Sequence, residues 1–231
     1  MMDRLSRWAP LSGVVYVVLF VVAVFAFPGT PSIGDSSSSI IKFYGSHRGS
    51  MQASAYLLAY CAIFTVVFFA VLTNYLRRMG ANVLARVAFA GSIIVAVGFG
   101  VGAGTTSILT HRSVPLDSGT AQVLNLLNND LPFVTLFLGL ALAMIATGAA
   151  VLGTKALPTW MGWVAVVAGV GAGIGNFVSW IALLLTGLWI LTASVMLYQR
   201  MNADAAAMPP GGSSTVPAQG MPHGSDTRVS G

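Results

Sequence analysis

Six long apolar runs dominate this chain, and no charged residue lies in the middle of any of them. Charged residues make up 7% of the sequence, whereas about a quarter of the residues in a soluble domain are charged. Because a charge in hydrocarbon is costly, uncharged runs of this length are typical of helices that cross a membrane. The sequence therefore predicts an integral membrane protein.

The length of each run decides how many spans it can form. A hydrocarbon core of about 30 Å needs roughly 17 to 25 helical residues, and membrane strands would instead alternate in polarity over about ten residues. We predict an all-α integral membrane fold, a six-transmembrane-helix bundle within residues 1–200. The predicted spans are 11–27, 53–75, 85–109, 131–152, 159–174 and 177–198.

Local signals support the ends of these spans. Asp130 is expected to cap the fourth span, with Pro132 tolerated in its first turn. The stretch from Gly173 to Asn176 suits the tight turn that must divide the last 39 uncharged residues into two helices. Residues 201–231 are rich in Pro, Gly, Ser and Ala, which predicts a disordered cytoplasmic tail.

The distribution of Lys and Arg predicts the orientation, because cytoplasmic loops retain positive charge. Eight cations fall on one side of the predicted spans and three on the other, so we expect both termini in the cytoplasm and the protein in the plasma membrane. Trp8, Trp160 and Trp163 lie at the predicted inner ends as interfacial anchors. The eight inner cations are Arg4, Arg7, Arg77, Arg78, Arg86, Lys155, Arg200 and Arg228.

The N-terminal run also has the features of a signal peptide, since Arg4 and Arg7 precede it. Val24-Phe25-Ala26 is a poor cleavage site, which favours a retained helix. The lone Cys61 lies within a predicted span and carries no information about the redox compartment.

Glycines are concentrated in the third and fifth spans. Gly98 with Gly102, and Gly169 with Gly173, form GxxxG pairs that allow two helix backbones to approach closely. We expect packing within the bundle, with a homo-oligomer face or a flexible segment lining a cavity as the alternatives. Substitution of Gly102 by Leu should then overpack the core.

Two predicted outer segments collect most of the remaining polar residues. SSSSIIKFYGSHRG, within 28–52, and TAQVLNLLNND, within 110–130, resemble short interfacial helices that together form a lid over the bundle. His47 or Arg48 is expected to pair with Asp117 or Asp130 across the lid. The candidate outer-surface site comprises His47, Arg48, His111, Arg112, Asp117 and Asp130.

The chemistry-bearing residues argue against several classes of site. His47, His111 and the aspartates invite a metal-site hypothesis, but these two histidines are far apart in the sequence and each is followed by an Arg. No ionisable residue lies at mid-membrane, as proton-coupled pumps need, and no catalytic set can be named. We therefore expect no enzyme activity, no cofactor and no metal, and the net charge of +5 needs no nucleic acid to explain it.

Three segments carry a resemblance to a family. FYGSHRGSMQASAYL (43–57), LPTWMGWVAVVAGV (157–170) and WILTASVMLYQR (189–200) resemble uncharacterised actinobacterial six-helix membrane proteins related to a bacterial domain of unknown function. The resemblance implies a six-helix bundle in the plasma membrane over residues 8–200. It implies no activity.

Two functions remain open at this point. The first is a non-enzymatic interaction module or subunit of a membrane complex, whose partners would be the lipid bilayer and another membrane protein or a second copy. The second is a permease or binding protein for a small molecule or lipid, with a Gly-lined cavity beneath the outer lid. A cavity that reaches mid-membrane would favour the second function.

Overall fold

The fold is all-helical, as the sequence predicts. A computed structural model describes residues 8–25, 27, 29–111 and 117–207, except for the side chains of residues 176 and 204–207. After a 3-10 turn (Ala9–Leu11), the helices are α1 (Ser12–Phe25), α2 (Ser37–Ser46), α3 (Arg48–Arg78), α4 (Asn82–Leu109), α5 (Ser118–Thr154), α6 (Thr159–Ile174) and α7 (Asn176–Ala207). The predicted tail lies outside the described residues from position 208 onward.

Among the described residues, four helices are long and apolar enough to cross a membrane: Arg48–Arg78, Asn82–Leu109, Ser118–Thr154 and Phe177–Ala203. Two further apolar helices, Ala9–Phe25 and Thr159–Ile174, are shorter. At a rise of about 1.5 Å per residue, a helix of 16 or 17 residues is roughly 25 Å long, somewhat less than the hydrocarbon core.

Helices α1 and α3 to α7 form a closed ring. Each packs against its neighbour in the sequence from α3 to α7, and α1 packs against both α3 and α7. The interior of the ring is filled by large side chains that are almost completely buried, among them Phe68 and Phe69 of α3, Met144 of α5 and Trp189 of α7. Successive helices alternate in direction, so the ring has two distinct ends.

Tight connections place most of the described cations at one of these ends. Gly80 (φ +101°) follows α3 and lets the amide of Ala81 donate to the carbonyl of Leu76 at 3.0 Å, an arrangement that ends the helix with few unpaired carbonyls. Described cations at this cation-rich end are Arg77, Arg78, Arg86, Lys155 and Arg200.

A set of partly buried hydrogen bonds joins three parts of the chain at the cation-rich end. Arg200 of α7 donates to the Tyr75 hydroxyl of α3 at 3.1 Å and also to the carbonyl of Ala156, between α5 and α6. Tyr75 donates to the same carbonyl at 3.1 Å. Arg200 therefore ties the ring together, a role beyond the orientation signal that its charge supplies in the sequence.

At the opposite end, a single glycine connects α6 to α7. Gly175 has φ +89°, a conformation that residues with a Cβ rarely adopt, and it lies within the stretch expected to turn. The Ser179 hydroxyl donates to the Ala172 carbonyl at 2.9 Å and closes the hairpin.

The start of α5 differs from the expected start of the fourth span. The helix begins at Ser118, with Asp117 as its N-cap, and runs through Pro132 without a break. The prediction that Asp130 caps a helix is wrong, and the stretch 120–130 is the first third of a long helix instead of a separate short one. Helical hydrogen bonding from 118 onward outweighs the single amide that Pro132 lacks.

Candidate ligand cavity

The α2 end of the ring is covered by α2 and the first turns of α5. Ser36 caps α2 by accepting a hydrogen bond from the Ser39 amide at 3.4 Å. Ile40 and Tyr44, each 1% exposed, then pack with Met51 of α3, Leu109 of α4 and Ala121 of α5. The two segments expected to form a lid therefore meet, and apolar side chains make much of the contact.

Three asparagines of α5 supply the polar part of this contact. Asn125, Asn128 and Asn129 lie at i, i+3 and i+4, on one face of the helix. Asn125 and Asn129 donate to the backbone carbonyls of Ser32 and Pro31 at 3.2 Å each. These amides hold the segment before α2 against α5.

Asn128 is the centre of a buried network. Its Oδ1 accepts hydrogen bonds from Thr105 at 2.6 Å and Thr106 at 3.0 Å, and its Nδ2 donates to the Tyr44 hydroxyl at 3.4 Å. Burial raises the pKa of Tyr44 to about 12, and the hydrogen bond with Asn128 offsets only part of that shift. The network joins α2, α4 and α5 with neutral groups only.

Beneath this network lies a cavity of about 230 Å³, bounded by α1, α3, α4, α5 and α7. Its floor is aromatic, because Phe20 of α1 and Phe99 of α4 meet at a ring separation of 6.0 Å. Gly98 and Gly102 form part of its wall, and Gly98 lies close to the midpoint of the predicted third span. The cavity thus extends from the α2 end to about mid-span.

Pro132 of α5 faces both of these glycines. A Cβ at Gly98 would lie 3.0 Å from the Pro132 carbonyl oxygen, which is closer than most Cβ contacts in proteins. A Cβ at Gly102 would meet the Pro132 ring at 3.4 Å, which is an ordinary contact. Since proline has no amide hydrogen, the carbonyl of Asn128 loses its usual helical donor beside the cavity.

The cavity is open on one side. Val24 of α1, Phe133 of α5 and Trp180 of α7 line it and are also exposed, at 41%, 37% and 43%. Phe133 and Trp180 are in contact, with their ring centres 5.3 Å apart. Residues that face both the cavity and the outside mark its mouth, which lies between the end of α1, the middle of α5 and the start of α7.

Among the described residues that line the cavity, none is charged. Four have polar side chains of the Ser, Thr or Asn type: Thr30, Ser54, Thr106 and Asn128. Ser54 differs from the other three. It is 9% exposed, and its hydroxyl has no hydrogen-bond partner within the described part of the chain, whereas Thr65 and Thr73 of the same helix donate to the carbonyl one turn earlier. An unpaired hydroxyl facing an apolar cavity is a natural partner for one polar group of a ligand.

None of the described residues in the predicted outer-surface site lines this cavity. His47 is exposed, stacks on Phe43 with ring centres 4.5 Å apart, and hydrogen-bonds with the Phe43 carbonyl through Nδ1 at 3.1 Å. Asp117 accepts from the Thr120 amide at 2.7 Å, which lowers the pKa of its carboxyl. Asp130 and His111 are exposed, and Arg112 lies outside the described residues.

The charged pairing expected across the lid is not formed in the described structure. The buried Nε of Arg48 has no hydrogen-bond partner, and His47 bonds only within its own turn. The amides of α5 make the cross-segment hydrogen bonds because they lie on the face that points toward α2, whereas Asp130 lies on an exposed face. The spacing of the three asparagines, at i, i+3 and i+4, is the sequence signal that could have identified this face of α5.

Within the described residues, no group of three or more potential metal ligands comes together.

The glycines predicted to pack lie on two sides of α5. A Cβ at Gly98 would be 2.9 Å from the Leu136 amide, and a Cβ at Gly169 of α6 would be 2.8 Å from the Ile145 amide. Gly173 has more room, with its nearest neighbour the Ala141 side chain at 3.7 Å. The sequence did not single out Gly91, Gly139, Gly148 and Gly162, which make approaches at least as close.

The predicted anchors are all exposed at the cation-rich end. Trp8, Trp160 and Trp163 have exposed fractions of 62%, 54% and 58%, and Trp8 contacts Tyr198 with ring centres 5.6 Å apart.

Comparison with known proteins does not assign the chain to a family. No family model matches the chain, and neither a curated protein nor a solved structure matches it. The resemblance to actinobacterial six-helix proteins stays a prediction.

Proposed function

We propose that this chain is a six-span protein of the plasma membrane, with both termini cytoplasmic, that binds a neutral, largely apolar small molecule or lipid. The observation that carries the proposal is the cavity, which is lined mainly by apolar side chains and by the Ser54 hydroxyl, which has no hydrogen-bond partner within the described residues. Its volume of about 230 Å³ exceeds the ~150 Å³ of an engineered protein cavity that binds benzene. Because none of the described residues that line it is charged, the site favours an uncharged head group, such as that of an alcohol.

The mouth suggests how the ligand enters. Val24, Phe133 and Trp180 would face hydrocarbon in a membrane, so an apolar chain could pass from the bilayer into the cavity without crossing water. A permease would also need a second conformation that opens toward the other end. Binding is therefore the function we propose, and transport would be an extension of it.

The test is the binding of a long-chain alcohol to the detergent-purified protein. A Gly102→Leu variant places a side chain in the cavity and should weaken binding at least tenfold, whereas Gly100→Leu should not, because nothing lies within 4 Å of a Cβ at Gly100. Ser54→Ala should weaken binding of the alcohol severalfold and leave binding of the matching alkane unchanged, since one hydrogen bond contributes about 0.5 to 1.5 kcal/mol. Equal affinities in Gly102→Leu and Gly100→Leu would refute the proposed site.

An interaction module or subunit of a membrane complex is the second candidate. Gly100 and Gly104 favour it, because they form a GxxxG pair on α4 with open space at both Cβ positions. Mass spectrometry of the protein purified from its host separates the two functions. A bound neutral lipid supports the cavity, and a stoichiometric protein partner with an empty cavity supports the module.

The proposed topology has its own test. Alkaline phosphatase fused after Arg200 should be inactive, because the cation bias predicts that this end is cytoplasmic. A cysteine that replaces Ser36, in a chain whose buried Cys61 has been replaced, should react with an impermeant thiol reagent in intact cells. Active phosphatase at position 200 would reverse the orientation.

A further inference from the structure

A second cavity lies at the cation-rich end, between α3 and α4, and has a volume of about 270 Å³. On α3, Ala70, Asn74 and Arg77 follow one another at i, i+4 and i+7 and so share one face. On α4, Arg86 and Phe89 lie at i and i+3. Two guanidinium groups therefore border one groove, above an apolar floor.

Within the described part of the chain, no carboxylate pairs with the two arginines of this groove. Arg77 and Arg86 are exposed, and neither makes a hydrogen bond or ion pair within the described residues. Neither α3 nor α4 contains an acidic residue. The carboxylates with described side chains, Asp35, Asp117 and Asp130, all belong to the opposite end.

We propose that this groove binds the phosphate group of an anionic phospholipid. Guanidinium groups favour phosphate because their planar set of donors matches its oxygens, and the exposed Asn74 amide adds two further donors.

The apolar floor selects a lipid over a free anion. Ala70, Ala85 and Phe89 line the groove beside the arginines, and Ala70 is exposed on the outer surface of α3, the surface that a membrane would cover. A phospholipid can place its head group on the arginines and its glycerol and first methylenes on these side chains. Basic pockets between membrane helices are known to bind acidic head groups in this way. The site is independent of the ligand cavity at the other end.

The test is native mass spectrometry of the purified protein, titrated with phosphatidylglycerol, phosphatidylcholine or inorganic phosphate. We expect one phosphatidylglycerol to be retained, with an affinity at least tenfold higher than that for phosphatidylcholine. The Arg77→Gln/Arg86→Gln variant should lose this preference. Arg78→Gln is the control, because Arg78 is the next residue on α3, is also exposed and does not line the groove.

Three outcomes would overturn the proposal. Equal loss of binding in Arg78→Gln would mean that overall charge, and not the groove, attracts the lipid. Displacement of phosphatidylglycerol by millimolar inorganic phosphate would mean that the anion alone is bound. If the double variant does not fold, Asn74→Leu serves in its place, since it leaves both charges intact, and full retention of the lipid preference in it would exclude the groove as the site.

Discussion

A Gly139→Ala variant is expected to lose about 1 to 3 kcal/mol of unfolding free energy, the usual cost of forcing an extra methyl group into a well-packed contact. The added Cβ would lie 2.6 Å from the Val95 amide nitrogen, 2.9 Å from the Gly91 carbonyl oxygen and 3.0 Å from the Ile94 carbonyl carbon. All three atoms belong to the backbone of α4, so no side-chain rotation can relieve the clash. The two helices must move apart, and thermal unfolding in detergent would measure the loss.

Gly153→Ala is the matched control in the same helix. No atom lies within 4 Å of a Cβ at Gly153, so the substitution should be neutral or should stabilise the protein by up to about 1 kcal/mol through helix propensity. If the two variants melted at the same temperature, the close crossing of α4 and α5 would be excluded.

Trp189→Ala is expected to cost about 3 to 5 kcal/mol, the range for truncating a large aromatic side chain in a packed interior. Trp189 is 2% exposed, and its indole N–H donates to the Met161 carbonyl at 2.8 Å, which joins α7 to the first turn of α6. Trp189→Phe keeps much of the packing and removes the donor, so it should recover most of that loss. The measurement is again thermal unfolding of the purified protein.

Trp163→Ala provides the comparison for Trp189. Trp163 is 58% exposed, and its truncation should change the unfolding free energy in detergent by no more than about 0.5 kcal/mol. Comparable losses from Trp163→Ala and Trp189→Ala would show that Trp189 does not hold α6 and α7 together.

Gly98 and Gly102 differ in how closely α5 approaches them, and this difference revises the expectation that a leucine at Gly102 would overpack the core. Gly98 and Gly102 are indistinguishable as a GxxxG pair, yet a Cβ would touch backbone at the first and only the Pro132 ring at the second. Gly102 lines a cavity, so a leucine there is expected to fill space and block a ligand more than to overpack the core. Spacing along a helix predicts which residues share a face, but it does not predict how close the next helix comes.

Features that depend on nearby residues could be predicted from the sequence. The all-helical fold follows from long uncharged runs, because hydrocarbon requires every backbone polar group to be paired within its own segment. The helix capped by Ser36 and the turn at Gly175 follow from side-chain capping and from a backbone conformation that favours glycine. Each of these is decided within a few residues.

Only the tertiary structure decided the candidate site. Asn128, Ser54 and Trp180 come from three different helices, and the faces they present depend on how those helices rotate and cross. The sequence drew attention to His47, Arg48 and the aspartates because charge stands out in an apolar chain. In the fold, neutral amides and hydroxyls make the buried contacts instead, because a neutral group costs far less to bury than a charge.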